Sequence, residues 1–240
     1  MNYQIITDKD ALLSFIEWLP ELEPHETFYL CLFARSKYAK GIAHIKSDKA
    51  QLKRFTSNKS RLYEKIWQLE TPIGSYTTKG VGTSVPVVVP QESLALYITI
   101  NPRSFIKATR NGLTKLLDLA LQPYNGYHPY QEVMSEVQKA KSKTRFISFD
   151  FDIQKDQVYT VYEQVFEVVN KEALTVVETR GGYHFIVEPK LVDKSLSSNW
   201  YQNMRTILFK HSDDHDNAGD IMLPVPGVYQ GGFTPKFIYQ

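Results

Sequence analysis

Residues 145–153 read Arg-Phe-Ile-Ser-Phe-Asp-Phe-Asp-Ile, and they alternate without a break. Successive side chains of an extended strand point to opposite faces. Ile147, Phe149, Phe151 and Ile153 therefore share one face, and Phe146, Ser148, Asp150 and Asp152 share the other. The pattern predicts a strand that is apolar on one side and acidic on the other. Downstream, residues 156–171 place Val161, Val165 and Val168 on one side of a helix, and 175–179 reads as a second strand. Arg180-Gly181-Gly182 supplies a tight turn into a third strand over 183–188, and 196–210 reads as a second helix. A last strand is expected from 221–229 or from 236–239. The order β-α-β-β-α-β is the split βαβ arrangement of ferredoxin-like and RRM domains.

Outward from this core the pattern is less regular. Thr7-Asp8-Lys9-Asp10 starts a helix with Leu12, Phe15, Ile16 and Leu19 on one stripe, and Pro20 ends it. Residues 28–34 read as a strand, 49–67 have helical character, and 72–84 read as a loop. Strands are expected at 85–89, confined to an edge by Pro86, and at 94–100. Ser104 caps a helix to about Gln122, and a further helix starts near Tyr130 after the turn-rich 123–129. The expected organisation is an N-terminal αβ subdomain over 1–144 and the split βαβ unit over 145–240.

With 240 residues, 42% of them hydrophobic, the chain can bury a core without staples, and its one cysteine, Cys31, excludes an intrachain disulfide and a Cys-rich zinc site. The longest apolar run, 94–100, is too short for a membrane span. Charged residues occupy the first twenty positions where a secretory signal needs an apolar stretch, which points to the cytoplasm. The net charge of +2 conceals a split. Residues 1–145 hold 20 Lys/Arg against 13 Asp/Glu, a net +7, and residues 146–240 hold 8 against 13, a net −5. Arg35 to Lys65 alone has ten basic residues and two acidic ones. Such a tract attracts polyanions, and its bland alternative is a solvated helix face.

Two aspartates at i, i+2 on one strand face repel each other unless a cation neutralises them. Hard oxygen ligands in this arrangement suit Mg²⁺ or Mn²⁺, which take one or two carboxylates and fill the other positions with water and phosphate. The structural alternative is an edge strand with a solvated acidic face. His184 follows Gly181-Gly182, glycines that let a polyphosphate approach the backbone beside an imidazole and Arg180. A lone strand histidine is otherwise a structural residue. Asp220 precedes a second glycine-containing stretch with Gly227, Gly231 and Gly232, and a third carboxylate from a neighbouring strand would complete a two-metal site. Asp213, Asp214 and Asp216 compete with it. His211 and His215 invite a separate metal assignment, against which stands a solvated polar loop.

Phe146-Ile-Ser-Phe-Asp150-Phe-Asp152 resembles the strand-borne Asp-x-Asp motif of the archaeo-eukaryotic primase superfamily. Gly182-Tyr183-His184 is similar to its small-x-His motif. The Asp220 segment, with Pro226-Gly227 and Gln230-Gly231-Gly232, resembles the third acidic motif of the plasmid and phage primase-polymerases. The resemblance covers about residues 145–240, in matching order and spacing. It implies an α+β fold, an RRM-like catalytic palm packed with the N-terminal subdomain, and template-directed nucleotidyl transfer to a 3′-hydroxyl with release of pyrophosphate. Asp150, Asp152 and Asp220 would hold Mg²⁺ or Mn²⁺. Arg180, Gly181, Gly182, His184, Gln230 and Lys236 would meet the nucleoside triphosphate. Arg35, Lys53, Arg54, Arg61 and Arg103 would meet a DNA template, single-stranded by expectation. A bacterial, plasmid or phage setting follows, with a replicative helicase as partner in trans or fused downstream, since the chain carries no Walker A loop. The zinc-binding element of many primases is absent from the sequence.

Two rival readings use the same residues. A non-enzymatic single-strand binder would stack bases on an RRM-type sheet, but Asp150 and Asp152 would repel phosphate there while Phe149 and Phe151 face the core. A metal-dependent nuclease shares the two-metal chemistry, with only His184 as an evident base.

Overall fold

The computed structural model describes residues 1–41, 45–82, 85–212 and 218–240. Helix α1 (Lys9–Trp18) starts where Asp8 accepts a hydrogen bond from the Ala11 amide, and it buries Leu12 and Phe15. Strand β1 (Glu26–Ala34) is buried along almost its whole length. It pairs with β2 (Ala50–Ser57), which corrects the helical reading of 49–67. The exposed Gln51 and Lys53 alternate with the half-buried Leu52 and Arg54, the period of an edge strand rather than of a helix face. Only after the Asn58 side chain caps a 3₁₀ turn does helix α2 (Leu62–Trp67) begin. Strands β3 (Thr77–Lys79) and β4 (Pro86–Val88) form a small hairpin, so part of the expected 72–84 loop is strand.

Strand β5 (Leu94–Thr99) flanks β1 on its other side, and the short β6 (Arg103–Ser104) pairs with the start of β1. Helix α3 (Phe105–Ala120) is capped by Ser104, as expected, and α4 (Pro129–Lys139) opens with its proline at the first turn, where a missing N–H costs nothing. Met134, Val137 and Ala140 of the α4 region pack with Ala108 of α3 against Tyr29 and Cys31 of β1.

The second sheet begins with β7 (Ile147–Phe151), followed by α5 (Val158–Phe166), β8 (Leu174–Glu178), β9 (Tyr183–Val187) and α6 (Trp200–His211). Then come β10 (Ala218–Gly219), β11 (Met222–Pro224) and β12 (Lys236–Tyr239). The strand order is β10-β7-β9-β8-β12, antiparallel throughout. β7 and β8 run parallel to each other, joined by the α5 crossover, with β9 inserted between them. Of the two places expected for a last strand, 236–239 is strand β12, and 221–229 is strand only over Met222–Pro224. The two-residue β10 sits beside β7, β12 adds an extra edge beside β8, and Met222–Pro224 leaves for the first sheet to pair with β5. Pro224, Pro226 and the glycines that follow suit short pairings rather than one long strand.

The alternation of 145–153 divides the second sheet as read. Phe149, Phe151, Phe185 and Val176 face α5 and α6. On the opposite face Phe146, Val177 and Ile186 join the core of the first sheet, where Trp18 of α1 stacks on Phe146 at 4.7 Å between ring centroids. The chain passes between the sheets near residue 145 and returns with β11, so one apolar core spans both. Among the described residues, no helix is long and apolar enough to cross a membrane.

Candidate nucleotide cleft

Toward one end of β7 and β9 the inner face turns polar and the two sheets part, leaving a cleft of about 760 Å³. The register places Asp150 of β7 opposite His184 of β9. His184 Nε2 lies 3.4 Å from Asp150 Oδ1, and its Nδ1 lies 3.1 Å from Ser148 Oγ. Both His184 and Ser148 are buried, so the ring is fixed between a hydroxyl and a carboxylate. Asp152 follows at the exposed strand end and lines the same cleft.

The glycine turn has a steric reason. A Cβ on Gly182 would stand 2.0 Å from the Phe151 carbonyl oxygen, whereas one on Gly181 would make only ordinary contact, 3.5 Å from Asp152 Oδ1. Thr179 closes the turn by donating its amide to Gly182 O at 2.8 Å. The bare backbone of Gly181 thus forms the wall beside Asp152.

Asp220 reaches the cleft by a different construction. Its Oδ1 accepts from Asn101 Nδ2 at 2.8 Å and its Oδ2 from Arg103 Nη1 at 2.5 Å. Asn101 is fully buried. Its Nδ2 also donates to Phe146 O, and its Oδ1 accepts from the amides of Arg145 and Phe146. The single side chain therefore ties the entry of β7 to Asp220. Among the described residues there is no group of three or more His, Cys, Asp or Glu side chains that could hold a metal. Asp213, Asp214 and Asp216, the competing third acids, lie outside the described residues, as does His215.

The first sheet supplies a basic and aromatic wall. Arg35 donates to the Tyr97 hydroxyl at 2.6 Å and, through Nε and Nη2, to Asp48 Oδ2. Burial opposes ionisation of Asp48, yet the Lys37 amide and the Arg35 guanidinium together hold its carboxyl below the usual range. Burial pushes the Tyr97 hydroxyl upward. Tyr38 carries the Arg180 guanidinium over its ring at 4.2 Å, and Gln230 bridges the two, accepting from the Arg180 amide and donating to the Tyr38 hydroxyl. A Cβ on Gly231, whose φ is +59°, would meet Arg180 Nη1 at 2.4 Å. Lys37 and Lys49 complete the wall.

Asp150, Asp152, Gly181, His184, Asp220, Gln230 and Arg35 thus line one cleft. Arg180 stands beside it on Tyr38, and Gly182 sets the turn. Lys236 is elsewhere: it pairs with Glu178 at 3.5 Å in a separate groove beside α5. Of the proposed template contacts, Lys53 and Arg61 are exposed away from the cleft lining. Arg54 is a clamp, bound to the Tyr29 hydroxyl, to Gln131 and to Ser135. Arg103 is 3% exposed and turned to Asp220. Sequence reading missed Asn101, Ser148 and Tyr38 as site residues, while Lys37 and Lys49 were read only as members of the basic tract 35–65. Ser148 gave a local signal, since it shares the acidic face of the 145–153 alternation. Compared with protein-family models, with curated proteins and with solved structures, the chain has no match.

Proposed function

We propose that the chain is a nucleotidyltransferase of the DNA primase-polymerase kind, with the second sheet as an RRM-like palm. The observation that carries the reading is the cross-strand placement of Asp150 against His184 in a cleft that also receives Asp152, Asp220 and Gly181. The order β10-β7-β9-β8, with its split βαβ crossover, supports the palm assignment.

Two carboxylates two residues apart on one strand, facing a cleft with a cationic opposite wall, suit a divalent cation that keeps water and phosphate among its ligands. Asp150 and Asp152 would hold Mg²⁺ or Mn²⁺. Asp220, whose oxygens keep lone pairs after their bonds to Asn101 and Arg103, would be the third acid. A metal bound there would lower the pKa of the attacking hydroxyl and offset the charge on the leaving pyrophosphate. His184, fixed by Ser148 at Nδ1 and facing Asp150 with Nε2, would share that Nε2 with a phosphate oxygen held beside Asp150. Gly181 lets the triphosphate lie against the backbone and Arg180 opposes its charge, while Lys37 and Lys49 face the template strand. The 3′-hydroxyl oxygen bonds to the α-phosphorus as the bond to pyrophosphate breaks, and the hydroxyl proton passes to solvent.

Incorporation of labelled nucleotide on a single-stranded template, with Mg²⁺ or Mn²⁺ and with or without a primer, tests the proposal. Product is expected from the wild type and none from Asp150→Ala or Asp152→Ala at unchanged folding. Near wild-type incorporation by either variant would overturn it.

A further inference from the structure

Helix α3 carries two apolar faces, and only one is used. Ala108 and Gly112 are buried, with Leu116 and Leu119 half-buried on the same side; a Cβ on Gly112 would touch Val133 of α4 at 3.8 Å. On the far side Ile106, Leu113, Leu117 and Leu121 are 58%, 66%, 61% and 78% exposed. Their spacings of seven, four and four residues keep them on one stripe. Single exposed apolar residues are ordinary on a protein surface, whereas a contiguous stripe marks an interaction surface. None of the four lines the cleft.

The charges along the stripe identify its occupant. Arg110 lies within it and Asp118 on its flank, and neither makes a side-chain hydrogen bond or ion pair among the described residues. A surface built for an acidic or a basic partner carries one sign. This one carries both, Arg110 within the stripe and Asp118 about 80° round the helix from it, while Lys107 on that flank is spent on the Lys141 and Ser142 carbonyls; a self-complementary contact uses both signs. We propose that the stripe is the contact between two copies of this chain, α3 against α3 in an antiparallel two-fold pair.

With Leu113 of one copy level with Leu117 of the other, the two-fold axis repeats that contact. Arg110 then faces Ala120 of the second copy. The small alanine leaves room for the guanidinium, whose reach spans the half turn to the second copy's Asp118. Symmetry makes the ion pair twice. Sixteen residues of helix extend about 24 Å, and a contact confined to one helix face falls below the roughly 1,200–2,000 Å² of a stable interface. Pairing is therefore reversible and concentration-dependent, and it leaves the cleft open.

Sedimentation equilibrium over a range of concentrations tests this independently of the proposed activity. A monomer–dimer equilibrium is expected for the wild type. Arg110→Asp and Asp118→Arg should each weaken it by roughly tenfold or more, because each sets like charges opposite one another. The double variant should restore it, and Leu117→Asp should be monomeric. All four substitutions are at exposed positions, and circular dichroism checks that the fold is kept. A wild type monomeric at every concentration would overturn the proposal and leave the stripe to a different protein. A double variant no tighter than the single ones would overturn the antiparallel register.

Discussion

Asp150 and Asp220 are the same residue type at one cleft, and the fold holds them in opposite ways. Asp150 belongs to a regular strand, and its ion-pair partner is the cross-strand neighbour His184 at 3.4 Å. Asp220 stands outside the strands, with one oxygen on Asn101, which lies between β5 and β6, and the other on the β6 arginine, buried to 3% exposure. The first arrangement leaves carboxylate capacity for a ligand. The second ties two sheets together. One acid is thus set up for chemistry at little structural cost, while the other carries a structural duty as well. Substitutions at the two should separate activity from stability.

The largest effect expected is on activity alone. Asp150→Asn should abolish nucleotide incorporation while changing unfolding free energy by no more than about 0.5 kcal/mol, since a half-exposed isostere opens no cavity and strands no buried charge. Incorporation assays paired with urea unfolding check this. Equal losses in both would make Asp150 structural, and the comparison would fail.

Asp220→Ala should do the reverse in the unfolding experiment. Removing the carboxylate leaves the Arg103 guanidinium buried without its partner, an error of about 3–5 kcal/mol in fully buried pairs and toward the lower end here, where Asp220 keeps some solvent. The double variant Arg103→Met, Asp220→Leu should recover most of the loss, because no uncompensated charge remains. A double variant as unstable as Asp220→Ala would show that Asn101, rather than the ion pair, bears the load.

The same division explains what was legible in the sequence. Asp150, Asp152 and Gly182-Tyr183-His184 lie in or beside strands whose period of two can be read locally, so their faces follow from spacing, while the nearness of the two acids to the β8–β9 turn depends on the β7–β9 register. Asn101 sits 45 residues from Phe146 and 119 from Asp220, and nothing in Asn101-Pro102-Arg103 signals either partner. Arg103 read as a phosphate contact because it lies near a helix start, where anions bind well; the structure spends it on Asp220. The tract 49–67 read as helix because lysines and arginines on an edge strand mimic a solvated helix face, and only the pairing with β1 resolves the period. Ser148 was visible on the acidic face, but its role depends on the β7–β9 register, a long-range fact.

His184→Ala sharpens the comparison from the nucleotide side. A charge-assisted hydrogen bond to a phosphate is worth on the order of 1.5–3 kcal/mol, roughly a tenfold to hundredfold loss of nucleotide affinity. Template affinity should stay unchanged. Calorimetry with nucleotide in Mn²⁺ and fluorescence anisotropy with single-stranded DNA, on the same variant, separate the two. Loss of DNA binding with nucleotide binding kept would favour a single-strand binder.

A smaller effect concerns which cations meet DNA. Each phosphate contact contributes about 0.7 to the slope of log affinity against log salt for a single strand. Lys37→Ala with Lys49→Ala should therefore make the slope shallower by up to about 1.4, since both line the cleft. Lys53→Ala with Arg61→Ala should leave the slope unchanged if DNA runs along the cleft. A shallower slope from the second pair alone would move the template onto the outer edge of β2.

The smallest effect tests the wall rather than the acids. Asp48 fastens Arg35, and its carboxyl is held below the usual range although burial opposes this, because the Lys37 amide, Arg35 and Ser36 favour its charged form. A carboxyl whose folded value lies below its unfolded value stabilises the fold above the unfolded value, 3.8 for an ordinary aspartate. That contribution is lost as pH falls through the folded value. Asp48→Asn removes the titration, so the fall in stability between about pH 5 and the acid limit should be shallower than in wild type. The side chain is 42% exposed, so solvent screening keeps the difference modest. Urea midpoints measured across that range decide it. An unchanged acid limb would mean that the Arg35–Tyr97 hydrogen bond alone holds the wall, and that Asp48 follows Arg35 rather than fastening it.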